Sequence, residues 1–143
     1  MRFLLTSLAF LPLVGCVVSI EEMPTKSVDP PPAEVAPYIE WADAGCYWSS
    51  YDGDFVWWFE ADVLDGNGIF DVDAVYADVL DWNGNWIDSF ELFRDGSDPI
   101  LWYSDWLELS TWLDCRYNDY LVEFVAYDAL GAMDTVDVIP LTY

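Results

Sequence analysis

The sequence predicts an all-β domain, an antiparallel sandwich of two packed sheets. Apolar and polar residues alternate along several short runs, and Gly, Asn and Asp fall between those runs. Apart from the first 18 residues, no stretch has the 3.6-residue period of a helix. Short alternating strands joined by turn residues are typical of sandwiches, so we expect six or seven strands.

The strands are assigned by their alternation. Residues 55–65 place Trp57 and Phe59 on one face and Glu60 and Asp62 on the other. After residues 74–81, the pair Asn83-Gly84 predicts a two-residue hairpin turn. Further strands are predicted at 86–93, 100–109, 120–128 and 133–141.

Two segments carry a family resemblance. "YLVEFVAYDALGAMDTVDVIP" (120–140) resembles the closing hairpin of bacterial immunoglobulin-like and fibronectin type III-like domains, and "AVYADVLDWNG" (74–84) resembles a middle strand of the same folds. The resemblance spans about residues 44–143 and implies an immunoglobulin-like sandwich; it concerns the fold alone. Cys46 and Cys115 do not occupy the central inter-sheet positions of antibody domains, so a bridge between them is expected to pin an edge or a loop.

The amino-terminal residues predict export. Arg2 precedes an apolar run shorter than the roughly 20 residues of a spanning helix. The run stops at "LVGC" (13–16), which resembles the lipobox of bacterial lipoproteins. The resemblance implies cleavage before Cys16, a diacylglyceryl group on its thiol and acylation of the new amino terminus, for example by palmitate. Because Val17 follows instead of Asp, it also implies the outer membrane. An ordinary signal peptide or an uncleaved anchor is the alternative.

Composition then divides the chain into a signal peptide (1–15), a lipid-anchored tether (16–40) and a β-sandwich domain (41–143). Five prolines between positions 24 and 37 favour an extended tether. The net charge is −23, and Arg2 would leave with the signal, so the mature chain is more acidic still. Such a chain is not expected to bind nucleic acid or to reach anionic lipid by charge, so the acyl chains would supply the membrane contact. The simplest function of the charge is a solvated, repulsive surface.

Two cysteines remain in the mature domain once Cys16 is lipidated. Cys46 and Cys115 make an even pair in an exported protein, where disulfides persist. The sequence therefore predicts a Cys46–Cys115 bridge. Two buried, reduced thiols are the alternative.

Catalysis has little support in the residue types present. The chain has no His, the usual general base near neutral pH, and none of the common nucleophile or phosphate-loop motifs. A carboxylate pair of the glycosidase kind cannot be selected among 27 acidic residues. We expect a protein that is not an enzyme and needs no cofactor.

Calcium is the one cofactor with a candidate site. Four aspartates gather around the "DGNG" stretch, and hard cations favour several oxygens at close range; they are Asp62, Asp65, Asp71 and Asp73. The alternative is ordinary turn chemistry, in which Asp accepts hydrogen bonds from its own turn. The spacing does not match an EF-hand.

The nine tryptophans indicate a second type of site. Most are expected in the core. Trp57 and Trp58 are adjacent in one strand and must face opposite sides, so Trp58 is expected outside, beside Glu60 and Asp62. Trp82 flanks the predicted hairpin turn and is also expected to be exposed. The predicted binding face therefore consists of Trp58, Glu60, Asp62 and Trp82, and it is suited to sugar rings or to a protein partner.

The sequence thus predicts a lipid-anchored cell-envelope protein that acts as a non-catalytic binding or structural module. A carbohydrate- or calcium-binding module of the same fold is the second hypothesis. Loss of a partner on mutation of Trp58 or Trp82 would favour a binding module, and a tighter fold with calcium would favour the metal site.

Overall fold

The computed structural model describes residues 35–142. Seven strands make up most of this part of the chain: β1 (Pro37–Ser49), β2 (Asp54–Asp65), β3 (Val72–Asp81), β4 (Trp86–Arg94), β5 (Leu101–Leu107), β6 (Tyr120–Asp128) and β7 (Met133–Val138). One short 3-10 turn, Glu108–Ser110, follows β5. The predicted signal peptide, Cys16 and most of the predicted tether lie outside the described residues. In the described range, no helix has the length and apolar character needed to cross a membrane.

The strands form an antiparallel, nearly barrel-shaped sheet in the order β1-β2-β5-β4-β3-β6-β7. The β4–β5 pairing is short and joins only Phe93 with Tyr103 and Arg94 with Trp102. Its two edges meet where Leu141, after β7, forms a parallel bridge with Gly45 of β1. The amide of Cys46 donates to the Leu141 oxygen at 2.8 Å, which closes this side of the sheet.

The core is built from the inward-facing residues of strands from both halves of the sheet. Trp57, predicted to lie inside, is 0% exposed. Its ring meets Tyr120 of β6 edge to face at 5.7 Å, and Phe59 stacks on Phe90 of β4 at 4.7 Å. Aromatic rings of β2 therefore pack against strands of the opposite half, as the alternation of residues 55–65 requires.

The predicted strands are confirmed with small changes in their ends, but β1 was not predicted. It begins at Pro37, inside the segment assigned to the tether. Its pairing with β2 shifts between Ile39 and Trp41, where a bulge reverses which side chains face inward. This irregularity removes the period of two on which the strand assignments rested.

The Asn83-Gly84 hairpin is confirmed, but its predicted two-residue length is wrong. β3 ends at Asp81 and β4 begins at Trp86, which leaves a four-residue loop. The carboxylate of Asp81 accepts from the amides of Asn83 and Asn85 at 2.8 and 2.9 Å. These side-chain hydrogen bonds stabilise the longer turn, in which Gly84 has a φ of 79°.

Cys46 and Cys115 form a disulfide, as predicted. Cys46 lies near the end of edge strand β1, and Cys115 lies in the loop between the 3-10 turn and β6. The bridge therefore pins a loop to an edge strand. It joins residues that are 69 positions apart, and for a loop of this length the chain-entropy model gives a stabilisation of about 4 kcal/mol.

Candidate functional site

The outward side chains of β1, β2 and β5 form a surface of aromatic rings and carboxylates, here called the outer face. Directly paired residues of antiparallel strands point to the same side. Trp58, Glu60 and Asp62 of β2 therefore share this face with their partners on the flanking strands. The three rows across the sheet are Gly45–Trp58–Asp105, Asp43–Glu60–Tyr103 and Trp41–Asp62–Leu101.

Three of the four predicted binding residues thus lie together. Trp58 points away from the core, as its position beside Trp57 requires, and it is half-buried. Trp41 and Tyr103, which were not predicted, are 45% and 41% exposed on the same face. The strand assignment could not find Trp41, because β1 itself was missed.

Trp82 does not lie on the outer face. It is 72% exposed in the loop between β3 and β4. In the sheet, β5 and β4 separate β3 from β2. The predicted exposure of Trp82 is confirmed, but the predicted face of four residues is divided between two parts of the surface.

Negative charge is concentrated at the centre of the outer face. The pKa of Glu60 is raised, first by partial burial and then by the nearby charges of Asp105, Asp43 and Asp62. Partial burial also raises the pKa of Asp105. Each carboxylate on this face makes ionisation of the central one more costly. A positively charged group placed here would relieve that repulsion.

The half-buried state of Trp58 has a local cause. Its cross-strand neighbour on β1 is Gly45, which has no side chain. A Cβ built on Gly45 would stand 2.9 Å from Cζ2 of the Trp58 ring. The ring therefore lies close over the main chain of β1, which covers part of it.

A second feature lies where β2 and β6 end. One carboxylate oxygen from each of Asp65, Asp71 and Asp128 lies within 4.8 Å of the others. Asp65 ends β2, Asp71 immediately precedes β3, and Asp128 ends β6. Val72 pairs with Asp128 between β3 and β6, and this pairing brings the distant Asp128 to the other two.

The four aspartates of the predicted calcium site are therefore not grouped as expected. Asp65 and Asp71 come together, whereas Asp62 lies on the outer face and Asp73 is an exposed residue of β3. Asp128 was not among the predicted ligands, and its carboxylate accepts from the amides of Leu130 and Ala132 in its own turn at 2.9 and 2.8 Å. Its proximity to Asp65 depends on the β3–β6 pairing, which the local sequence does not reveal.

Arg94 organises the loop that carries Asp71. Its guanidinium donates to the main-chain oxygens of Ile69, Pro99 and Val72 at 2.5, 2.7 and 2.8 Å. The group also lies over the Trp102 ring, 4.4 Å from the ring centre. Partial burial lowers the pKa of Arg94. One side chain thus joins the β3 end of the loop between β2 and β3 to the loop between β4 and β5.

No pocket is found in residues 35–142. Comparisons with protein-family models, with curated proteins and with solved structures give no match for this chain.

Proposed function

We propose that this protein is a non-catalytic binding module that holds a basic protein surface on its outer face. The concentration of charge around Glu60 is the observation that carries the proposal. Four carboxylates, those of Asp43, Glu60, Asp62 and Asp105, share the face with three aromatic side chains. Lys or Arg groups of a partner would relieve the repulsion that raises the pKa of Glu60. The aromatic rings would supply apolar contact area beside those charges.

The proposal is tested by cross-linking in intact cells that express the full chain. Glu60→Gln and Asp62→Asn together should remove the cross-linked complex, and Trp41→Ala should weaken it. Trp82→Ala is the matched control, because it removes an exposed tryptophan that lies off the outer face, and it should leave the complex unchanged. A complex that survives the carboxylate substitutions but is lost with Trp82→Ala would overturn the proposal.

Carbohydrate is the second candidate ligand. The exposed rings of Trp41 and Tyr103 on a regular sheet favour it, since such rings can stack on sugars. Salt separates the two candidates. At about 1 M salt the Debye length is about 3 Å, so a charge-dependent protein complex should dissociate while ring stacking persists. Soluble envelope oligosaccharides titrated into the full chain would test the carbohydrate candidate directly.

We also propose that the module is exported and anchored by lipid at Cys16, in the outer membrane. The "LVGC" stretch after a short apolar run supports this. A single acyl chain gives only marginal binding, whereas two or more chains hold a protein firmly. Cys16→Ser should prevent acylation and cleavage, so the variant should lack the mass of the lipid and keep residues 1–15. Unchanged mass and unchanged membrane association in this variant would refute lipidation.

For the fold, we propose the two-sheet, immunoglobulin-like sandwich. The strand order divides at the short β4–β5 pairing into a group of three, β1-β2-β5, and a group of four, β4-β3-β6-β7, as two packed antiparallel sheets would require. The short β4–β5 pairing and the ring contacts between β2 and strands β4 and β6 support two packed layers. An experimental structure with β4 and β5 paired along their whole length would contradict it.

A further inference from the structure

We propose that Asp65, Asp71 and Asp128 form a calcium site that ties the loop after β2 to the end of β6. The three oxygens lie within 4.8 Å of one another. Calcium–oxygen distances are about 2.3–2.6 Å, so two ligands of one ion can be about 4.6–5.2 Å apart at most. The spacing of the three oxygens therefore fits a single ion.

The environment of Asp128 is a second, independent indication of a ligand. Asp128 is only 3% exposed. Its Oδ1 accepts the two turn hydrogen bonds, from Leu130 and Ala132, while its Oδ2 is buried and accepts none. A buried carboxylate oxygen without a donor is costly. A cation is the simplest group that removes this cost without changing the turn.

Asp65 repeats the pattern. Its Oδ1 accepts from the amide of Asn67 at 2.6 Å, and its Oδ2 is buried without a hydrogen-bond donor. Two neighbouring aspartates thus each use one oxygen to hold their own turn and leave the other one free. Turn formation, the alternative explanation from the sequence, accounts for the first oxygen of each residue but not for the second.

Arg94 is a positive charge beside this loop, but its hydrogen bonds do not go to the aspartates. They are directed to the main-chain oxygens of Ile69, Val72 and Pro99. Arg94 thereby shapes the segment that carries Asp71. Its N–H groups leave the two buried carboxylate oxygens unmatched.

The donor types select calcium. All three ligands are carboxylates, and the two cysteines in the described residues are joined in a disulfide, so a zinc site built on sulfur or imidazole does not fit. Magnesium requires near-ideal octahedral geometry and keeps several of its waters. Calcium accepts six to eight oxygens in irregular arrangements, so water can complete a site of three carboxylates.

The ion would reinforce a junction that the main chain already makes. The amide of Ala129 donates to the main-chain oxygen of Asp71 at 3.1 Å, and Val72 pairs with Asp128 across β3 and β6. Bound calcium would add a link between the β2–β3 loop and the β6–β7 turn. The site is separate from the outer face and does not depend on what that face binds.

The experiment is a calcium titration of the full chain after treatment with a chelator, in about 0.15 M salt to screen diffuse attraction. We expect one equivalent of calcium to bind saturably to each chain, with a dissociation constant of about 10⁻⁴–10⁻³ M, the range of extracellular calcium-binding modules. The midpoint of thermal unfolding should rise with calcium. Magnesium at the same concentration should give a smaller shift.

Asp128→Asn is the decisive variant. Its amide oxygen can still accept from Leu130 and Ala132, so the turn is kept while the free carboxylate oxygen is lost. We expect it to lose the calcium equivalent and the calcium-dependent shift, and to be at least as stable as the parent protein in chelator. Asp71→Asn should lose the equivalent too, which covers the case in which Asp128→Asn does not fold.

Asp73→Asn is the matched control, because it removes the same charge two residues from Asp71 without touching the cluster. It should keep both the equivalent and the shift. The proposal is overturned if the parent protein shows no saturable binding. It is equally overturned if Asp73→Asn reduces binding as much as Asp71→Asn does, since the acidic surface as a whole would then explain the effect.

Discussion

Gly45 of β1 lies directly opposite Trp58 of β2, and a Cβ on Gly45 would stand 2.9 Å from the Trp58 ring and 2.9 Å from the main-chain oxygen of Leu141. The ring could shift, but the Leu141 oxygen is held by its hydrogen bond from Cys46. Gly45 therefore permits two close approaches to β1, one by the Trp58 ring and one by the main chain after β7.

The first prediction concerns this contact. Gly45→Ala should lower the free energy of unfolding by about 1–3 kcal/mol, because an added methyl group has no room. Chemical denaturation measures the loss. Gly96→Ala is the control, because nothing lies within 4 Å of a Cβ at that position. Equal stability of the two variants would mean that Gly45 is not under this constraint.

The second prediction compares the two adjacent tryptophans. Trp57→Ala should cost about 3–5 kcal/mol, because the ring is fully buried among Phe59 and Tyr120. Trp58→Ala should cost about 1–2 kcal/mol, since its ring is half-buried over Gly45. Thermal unfolding distinguishes them. If Trp57→Ala does not accumulate, Trp57→Phe serves instead and should still be less stable than the parent protein. A larger loss at Trp58 would reverse the assignment of inner and outer faces.

The third prediction concerns the disulfide. Replacing Cys46 and Cys115 together by Ala should lower the free energy of unfolding by about 2–4 kcal/mol. Denaturation of the double variant and of the parent protein under oxidising conditions gives the difference. The mass of the unreduced parent protein should be lower by two hydrogen atoms than that of its reduced form. Free alkylation of both thiols without reductant would contradict the bridge.

The fourth prediction uses the raised pKa of Glu60. Its folded pKa lies above the ordinary value of 4.5, so the folded state holds this proton more tightly than the unfolded state does. Ionised Glu60 therefore destabilises the folded state. This loss of stability is absent below the ordinary pKa and develops as the pH rises through the raised folded pKa. Glu60→Gln should remove this pH dependence and raise stability at neutral pH by about 0.5 kcal/mol, a small value because the group is only partly buried and solvent screens its charge.

Denaturation at a series of pH values from about 4 to 7 tests this prediction, since it covers the range just above the ordinary pKa of a carboxyl group. Asp137→Asn is a suitable comparison, because it removes a charge from β7, away from the outer face. A Glu60→Gln profile that runs parallel to the profile of the parent protein would show that Glu60 carries no such penalty.

The sequence predicted those features that depend on local pattern. Strands β2 and β6 were found because a buried apolar side chain recurs at every second position along most of each strand, and the same alternation separated Trp57 from Trp58. β1 was missed because its bulge near Trp41 breaks the period. The outer face was consequently found only along β2, without its partners on β1 and β5.

The acidic group shows the other limit of sequence reasoning. Asp65 and Asp71 are close in the chain and were both selected, but Asp62 and Asp73 were selected for the same reason and lie elsewhere. Asp62 and Asp65 stand three positions apart in β2, so the alternation of the strand sends their side chains to opposite sides. Asp128 joins the group through the pairing of β3 with β6, a contact between distant residues that composition and spacing do not encode.

The disulfide also determines how the domain would respond to mechanical load. A pull on the chain at Pro37 would peel β1 from β2 one residue pair at a time, starting with the Pro37–Asp65 pair. Peeling can proceed only to Cys46, where a covalent bond transfers the force to Cys115. The released segment, residues 37–46, would span about 30 Å, at about 3.3–3.6 Å per residue. Trp41 and Asp43 lie in that segment. A partner bound across β1 and β2 would therefore oppose the separation of the two strands, and the domain would withstand a larger force with its partner bound than without it.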